Sequence, residues 1–249
     1  MAKINVDVLL DVLRHTSGLG NLEVLKVTGS EDETKIESMA ADNSVVFKAF
    51  LKEPIKEFNG EFGMSNLSVL KGFAEFPQFK TDGASVTVVR AEKGGKECPI
   101  EIIFEDDAGR DAHYRLLNSE LVPLQPKPIA SAWDIDFTPD KSKIQELAKM
   151  ASILSGEEFF NVKNVKGDLR FYIGDETSSG HRTYVSFNNP TEGTLDGLHW
   201  MIPTVLDCLK LINGDTLSTR MSILSKGLLQ IKLETKYCEY LFLLPAKKK

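Results

Sequence analysis

Residues 118–128 read Asn118-Ser119-Glu120-Leu121-Val122-Pro123-Leu124-Gln125-Pro126-Lys127-Pro128. Proline lacks an amide hydrogen and fixes its own φ. Three prolines in six residues therefore fit neither a helix interior nor a central strand, and the stretch reads as an extended linker. It falls near the middle of the chain. The division it predicts is an N-terminal domain over 1–118, an interdomain linker over 119–128 and a C-terminal domain over 129–249. Leu121, Val122 and Leu124 are more apolar than a solvated linker needs. Either they dock on the nearest core, or the linker forms one wall of a binding groove.

The two halves carry the same pattern. A first helical periodicity follows the cap residue Asn5 through Val6, Leu9, Leu10 and Leu13, and ends before Ser17-Gly18. A second begins near Ser65, carries Leu67, Val69, Leu70 and Phe73, and stops before Pro77. The third takes Thr138 as cap and Pro139 as first helical residue, with Ile144, Leu147, Ala148, Ala151 and Leu154 on its apolar face. A fourth covers Trp200 to Ile212, with Pro203 in its first turn, and ends at Asn213-Gly214. The second pair repeats the first about 135 residues on. Between the helices lie β-branched and aromatic runs: Val45–Phe50, Val86–Val89, Ile100–Phe104 and Tyr184–Phe187. Turn signals punctuate them, among them Asn59-Gly60, Asp107-Ala108-Gly109 and Lys166-Gly167-Asp168. Turns this closely spaced favour hairpins over crossovers, so the predicted class is α+β: in each domain two helices packed on antiparallel sheet.

The chain has 249 residues, 30 Lys+Arg against 36 Asp+Glu and a formal charge of −6, which excludes a generally basic nucleic-acid coat but not a local basic stripe. Cys98, Cys208 and Cys238 are scattered singles, as expected of a reducing compartment, with neither a disulfide framework nor a cysteine-rich zinc site. No apolar run reaches the ~18–20 residues of a membrane span, and no signal core opens the chain, so the sequence predicts a cytoplasmic protein with no membrane partner. His15, His113, His181 and His199 are spread singly, without metal-ligand spacing. Asp134, Asp136 and Asp140 form the one tempting acidic cluster. They read as solvent-facing strand alternation followed by an acid at a helix start, with Mg²⁺ coordination the competing reading. No nucleotide loop is present. The sequence predicts no catalytic residue, no metal and no cofactor.

Tandem α+β halves of two helices each, joined by an apolar proline-bearing linker, resemble the DNA sliding clamps, and more closely the three-subunit kind: proliferating cell nuclear antigen and the clamps of T4-type bacteriophages. Local stretches carry the resemblance. Ile36-Glu37-Ser38-Met39-Ala40-Ala41-Asp42-Asn43-Ser44-Val45 looks like the Ser-Met-Asp stretch of the nuclear antigen's first domain. Pro126-Lys127-Pro128-Ile129-Ala130-Ser131-Ala132 and then Thr138 to Leu154 look like the linker exit and first helix of the phage clamp's second domain. Tyr240-Leu241-Phe242-Leu243-Leu244-Pro245-Ala246 is similar to the clamp C-terminus.

The resemblance implies a non-enzymatic processivity factor: a homotrimeric ring that encircles duplex DNA, with all helices facing the hole. Twelve helices packed at roughly 9–10 Å make a circle of about 115 Å, leaving an opening of about 26 Å once helix thickness is removed, enough for a duplex. A sliding ring needs diffuse phosphate attraction without base contacts. Candidate lumen cations are Arg14, Lys71, Lys141, Lys143, Lys149 and Lys210; Lys141, Gln145, Lys149 and Ser152 share one stripe of the third helix. Asp7 and Asp11 put acids on the first helix, where a basic lining would want cations.

The resemblance also implies a groove for short peptides of the DNA polymerase and the clamp loader, at Met39, Val45, Leu121, Leu124, Phe242, Leu244 and Pro245. On that reading strand alternation makes Leu241 and Leu243 core-facing. Ring closure would join the strand Asp111 to Leu117, with His113 and Arg115, to the strand His181 to Asn188, with Thr183, Val185 and Phe187. A phage clamp would work in the host bacterial cytoplasm and also serve late transcription. Two alternatives differ in class: a monomeric factor that grips DNA electrostatically, and a hydrolase or nuclease built on Asp134, Asp136 and Asp140.

Overall fold

The Asn5 side chain accepts a hydrogen bond from the Asp7 amide at 2.9 Å and so starts α1 at Val6; the helix runs to Arg14. In this computed structural model, which describes residues 4–19, 22–93, 95–122, 132–174, 180–190, 195 and 198–247, four strands follow: β1 (Val24–Gly29), β2 (Thr34–Met39), β3 (Val46–Leu51) and β4 (Gly60–Ser65). After them come α2 (Leu67–Glu75), β5 (Ser85–Lys93), β6 (Lys96–Glu105), β7 (Asp111–Arg115) and the short β8 (Leu117–Asn118). The second half opens with β9 (Ile135–Phe137) and α3 (Lys141–Ile153). It continues through β10 (Phe159–Val165), β11 (Asp168–Ile173), β12 (Thr183–Pro190) and β13 (Leu198–Met201) to α4 (Ile202–Lys210), then β14 (Ser218–Leu224), β15 (Leu228–Glu234) and β16 (Cys238–Pro245).

The repeat is explicit in this order. Each half runs helix, four strands, helix, three strands, and Val6, Val24 and Leu67 recur 135 residues later as Lys141, Phe159 and Ile202, the matching element starts. Pairing repeats as well. β1 pairs antiparallel with β2 and β4, and β2 with β3; β10 pairs with β11 and β13, and β11 with β12. Both groups therefore have the order fourth-first-second-third, a Greek key. The Lys166-Gly167 turn that joins β10 to β11 has positive φ at both residues, 55° and 83°, the geometry whose twist matches a two-residue hairpin. The remaining strands form β5-β6-β7 in the first half and β16-β15-β14-β9 in the second.

Two compact units result. The first gathers Met1–Asp42, Val46–Lys127 and Glu234–Tyr240; the second gathers Asn43–Val45, Pro128–Leu233 and Leu241–Lys249. Residues 234–240 thus cluster with the half opposite to the one their sequence position suggests. The first core holds Leu9, Leu13, Leu25, Phe62 and Leu70, with Phe58 edge-on to Phe62 at 5.2 Å. The second holds Leu147, Phe160, Phe171, Val185 and Val205, with Phe171 against Phe187 at 5.0 Å.

Three boundaries differ from expectation. The cap of α3 is Asp140, not Thr138: its carboxylate accepts from the Ser142 amide at 2.8 Å, and Pro139 stays outside the helix. Trp200 is not helical. It lies in β13 opposite Phe160, fully buried, and its indole N–H donates to the Leu244 carbonyl at 2.8 Å. The strand expected over 111–117 ends at Arg115, and Leu117 joins β8 to pair with Gly63. Among the described residues no helix is long and apolar enough to cross a membrane.

On β2 and β3, Glu37 meets Lys48 at 2.8 Å and Lys35 at 2.9 Å, and Lys48 is buried. Burial alone would raise the Glu37 pKa, but the two ammonium groups outweigh it and hold the carboxyl below its ordinary value. A depressed folded pKa contributes stability above the unfolded value and loses it as pH falls through the folded one. The urea midpoint should therefore fall on acidification below pH ~4.5. Glu37→Gln should be less stable at neutral pH and show a shallower acid limb; an unchanged limb would remove Glu37 from the acid transition.

Candidate nucleic-acid interface

The cations expected on the helices divide into two groups. Arg14, in the last turn of α1, and Lys141 and Lys149 on α3 are exposed, Lys71 on α2 is half-buried, and none of the four has a carboxylate partner among the described residues. Lys143 and Lys210 are engaged: Lys143 meets Glu146 at 2.8 Å and Lys210 meets Asp207 at 2.8 Å. The Glu146 hydrogen bond pushes the Lys143 pKa up. On α3 the stripe Lys141, Gln145, Lys149, Ser152 is exposed throughout, while Leu147 and Ala151 are buried. At 1.5 Å per residue its two lysines stand about 12 Å apart along the axis. Two mobile ammonium groups on such a face can meet passing phosphates without reading bases.

The acids of α1 separate. Asp7 is exposed in the first turn, but Asp11 is buried and does not face solvent with it. Its Oδ2 accepts from the Thr235 hydroxyl and from the Tyr240 hydroxyl, each at 2.7 Å. His15, one turn on, stacks on the Tyr240 ring at 4.3 Å and places Nδ1 2.7 Å from the Asp11 carbonyl oxygen. Burial drives the Tyr240 hydroxyl pKa well above the usual phenol value, so it remains a donor. The expectation that Asp11 opposes a basic lining is corrected: its carboxylate is satisfied inside the first unit.

The acidic cluster is likewise occupied. Arg220 bonds both carboxylate oxygens of Asp136, Ser222 adds a bond at 3.0 Å, Asp134 accepts from the Ser225 amide at 2.6 Å, and Asp140 caps α3. The Arg220 hydrogen bond is the largest influence lowering the Asp136 pKa, and Ser225 lowers that of Asp134. Among the described residues no group of three or more His, Cys, Asp or Glu side chains is arranged to hold a metal.

The two strands assigned to ring closure are both sheet edges: β7 ends the order β5-β6-β7, and β12 ends β12-β11-β10-β13. Along β7, Asp111, His113 and Arg115 are exposed and Tyr114 is buried, its hydroxyl donating to the Ser65 carbonyl. His113 bridges Asp111 and Glu101, each at 3.2 Å, and its pKa is raised by the Asp111 bond first and Glu101 second. On β12, Val185 and Phe187 point into the core, Thr183 is half-buried, and His181 just before the strand is exposed. Leu117 belongs to β8 and not to the β7 edge.

The residues assigned to a peptide groove differ in exposure. Leu121 is 71% exposed, Pro245 is exposed and Met39 is half-buried. Val45, Phe242 and Leu244 are buried, while Leu241 and Leu243 are half-buried, so the alternation along β16 runs opposite to the expected phase. Phe242 and Leu244 are core residues here. Leu124 lies outside the described residues. Sequence reasoning also placed Val69 on the apolar face of α2, where it is 48% exposed; the buried set Leu67, Leu70, Ala74 keeps helical spacing and leaves Val69 off the stripe.

No protein-family model matches the chain, and no curated protein matches it. Among solved structures it is similar to the proliferating cellular nuclear antigen from Entamoeba histolytica, with a TM-score of 0.70 and 9% sequence identity, over 98% of this chain and 97% of that chain. At that identity what the two share is architecture: this is an α+β chain with the fold of a proliferating cellular nuclear antigen.

Proposed function

We propose that the protein is a DNA sliding clamp: a homotrimeric ring without catalytic activity that encircles duplex DNA and keeps a polymerase on its template. The observation that carries this reading is the full-length fold likeness, which takes in both repeats and all four helices. Three features support it. Arg14, Lys71, Lys141 and Lys149 are cations without a carboxylate partner among the described residues, on three of the four helices. β7 and β12 are edges available for antiparallel pairing between copies. The carboxylates of the competing hydrolase reading are held by Arg220, Ser225 and the α3 cap.

Partner tethering is the finer part of the proposal. Leu121 and Pro245, both exposed, with half-buried Met39, are the positions offered to an apolar anchor of a polymerase or loader peptide. The likeness of residues 126–154 to the T4-type phage clamp extends the proposal to a phage protein of the bacterial cytoplasm with a share in late transcription.

Light scattering across a dilution series tests the ring. A species near three times the 27.7 kDa chain mass, about 83 kDa, is the expected result. That species should stay on nicked circular DNA through a high-salt wash and run off when the circle is cut. A persistent monomer whose DNA binding disappears with salt on circles and linear DNA alike would replace the ring with an electrostatic grip.

A further inference from the structure

Among the described residues of the four helices, two large apolar side chains are left exposed: Val69 on α2, at 48%, and Ile153 on α3, at 64%. Each sits on the helix beside one of the two edge strands. α2 runs antiparallel to β7. The end of β7 is tied to its start, where Tyr114 donates to Ser65, and the start of β7 lies at its far end, because Phe73 packs at 5.9 Å on Phe104, the pairing partner of Ala112. α3 runs antiparallel to β12 in the same manner. Phe137, just before α3, packs at 5.6 Å on Phe187 near the end of β12, and the last turn of α3 faces the beginning of β12. Between that last turn and the strand lies a hollow of about 300 Å³ lined by Met150, Ile153, Leu154 and Thr183.

Antiparallel pairing of two edges sets the end of one beside the start of the other. When β7 of one copy meets β12 of the next, the first turn of α2 is therefore carried to the last turn of α3. We infer that α2 of one copy lies antiparallel to α3 of its neighbour, with Val69 seated in the Ile153 hollow as the apolar side-chain half of the subunit junction. The occupant is a second copy of this chain, and the inference rests on the ring reading above. Two half-exposed aliphatic groups are covered in one step, on the helix faces next to the strands that pair. This adds a hydrophobic contact to a junction that backbone hydrogen bonds alone would leave weak.

The test joins the two positions. Val69→Cys and Ile153→Cys are combined in a Cys98→Ser background, because Cys98 is half-buried whereas Cys208 and Cys238 are buried. A short bismaleimide should then produce covalent dimers and trimers from the double variant and none from either single one. In parallel, Val69→Ser and Ile153→Ser should each raise the trimer dissociation constant by about tenfold or more. A parent that scatters as a trimer, with no cross-link and no change in dissociation, would overturn this contact and leave the ring standing. A parent that stays monomeric at every concentration would overturn both.

Discussion

Asp11→Ala should unfold at a urea midpoint well below that of the parent, with about 3 kcal/mol of stability lost. The carboxylate accepts two hydroxyl hydrogen bonds at 2.7 Å, from Thr235 and Tyr240, in a buried site. Alanine removes the acceptor and leaves both donors without water or partner. An unsatisfied buried donor costs about 1–3 kcal/mol, more than the net contribution of the bond it made. Tyr240→Phe deletes one donor and should cost less. Adding it to Asp11→Ala should cost less again, because the orphaned hydroxyl is then gone. Fully additive losses would mean the two side chains do not act as one network. Mass and circular-DNA retention, measured on whatever fraction stays folded, should not change.

The second large effect concerns function. Lys141→Glu with Lys149→Glu should lower polymerase processivity by at least about tenfold and flatten the salt dependence of DNA binding, by roughly 0.9 in slope for each phosphate no longer neutralised. Both lysines are exposed on one stripe of α3 and carry no carboxylate partner among the described residues, so reversal meets the DNA directly and leaves the core intact. The contrast is with Lys143→Ala and Lys210→Ala, whose charges are already balanced by Glu146 and Asp207 and whose removal should matter little. Equal effects from the two pairs would mean that free charge on α3 is not what holds the duplex.

What could be read in advance followed short-range rules. Asn5 caps α1 through its own neighbour, the Lys166-Gly167 turn needs only two positive φ values, and the 135-residue period is a property of spacing. The failures have long-range causes. Asp11 follows Asp7 at helical spacing and looks like its surface companion; its partners are 224 and 229 residues away. Trp200 sits in an apolar run that fits helix or strand, and only Phe160 opposite it settles the choice. Thr138 and Asp140 are both cap residues, and the Ser142 amide selects the second. Along β16 the alternation was visible but its phase was not, since either set of alternate residues is apolar enough to face a core. Of the candidate site, the stripe on α3 was legible because it is local. Which lysines are already neutralised by a neighbour was not.

The membership of Glu234–Tyr240 in the first unit has a consequence for how the molecule is made. Asp11 leaves the ribosome early, and its partners Thr235 and Tyr240 follow 224 and 229 residues later. At roughly 5–20 residues per second that interval is on the order of 10–45 seconds. Throughout it α1 carries a carboxylate and His15 in a site still missing the tyrosine ring that closes it. The first unit to be translated is thus the last to be finished. A nascent chain arrested before residue 234 should expose α1 to proteases and chaperones, and release of the completed chain should make that helix abruptly resistant.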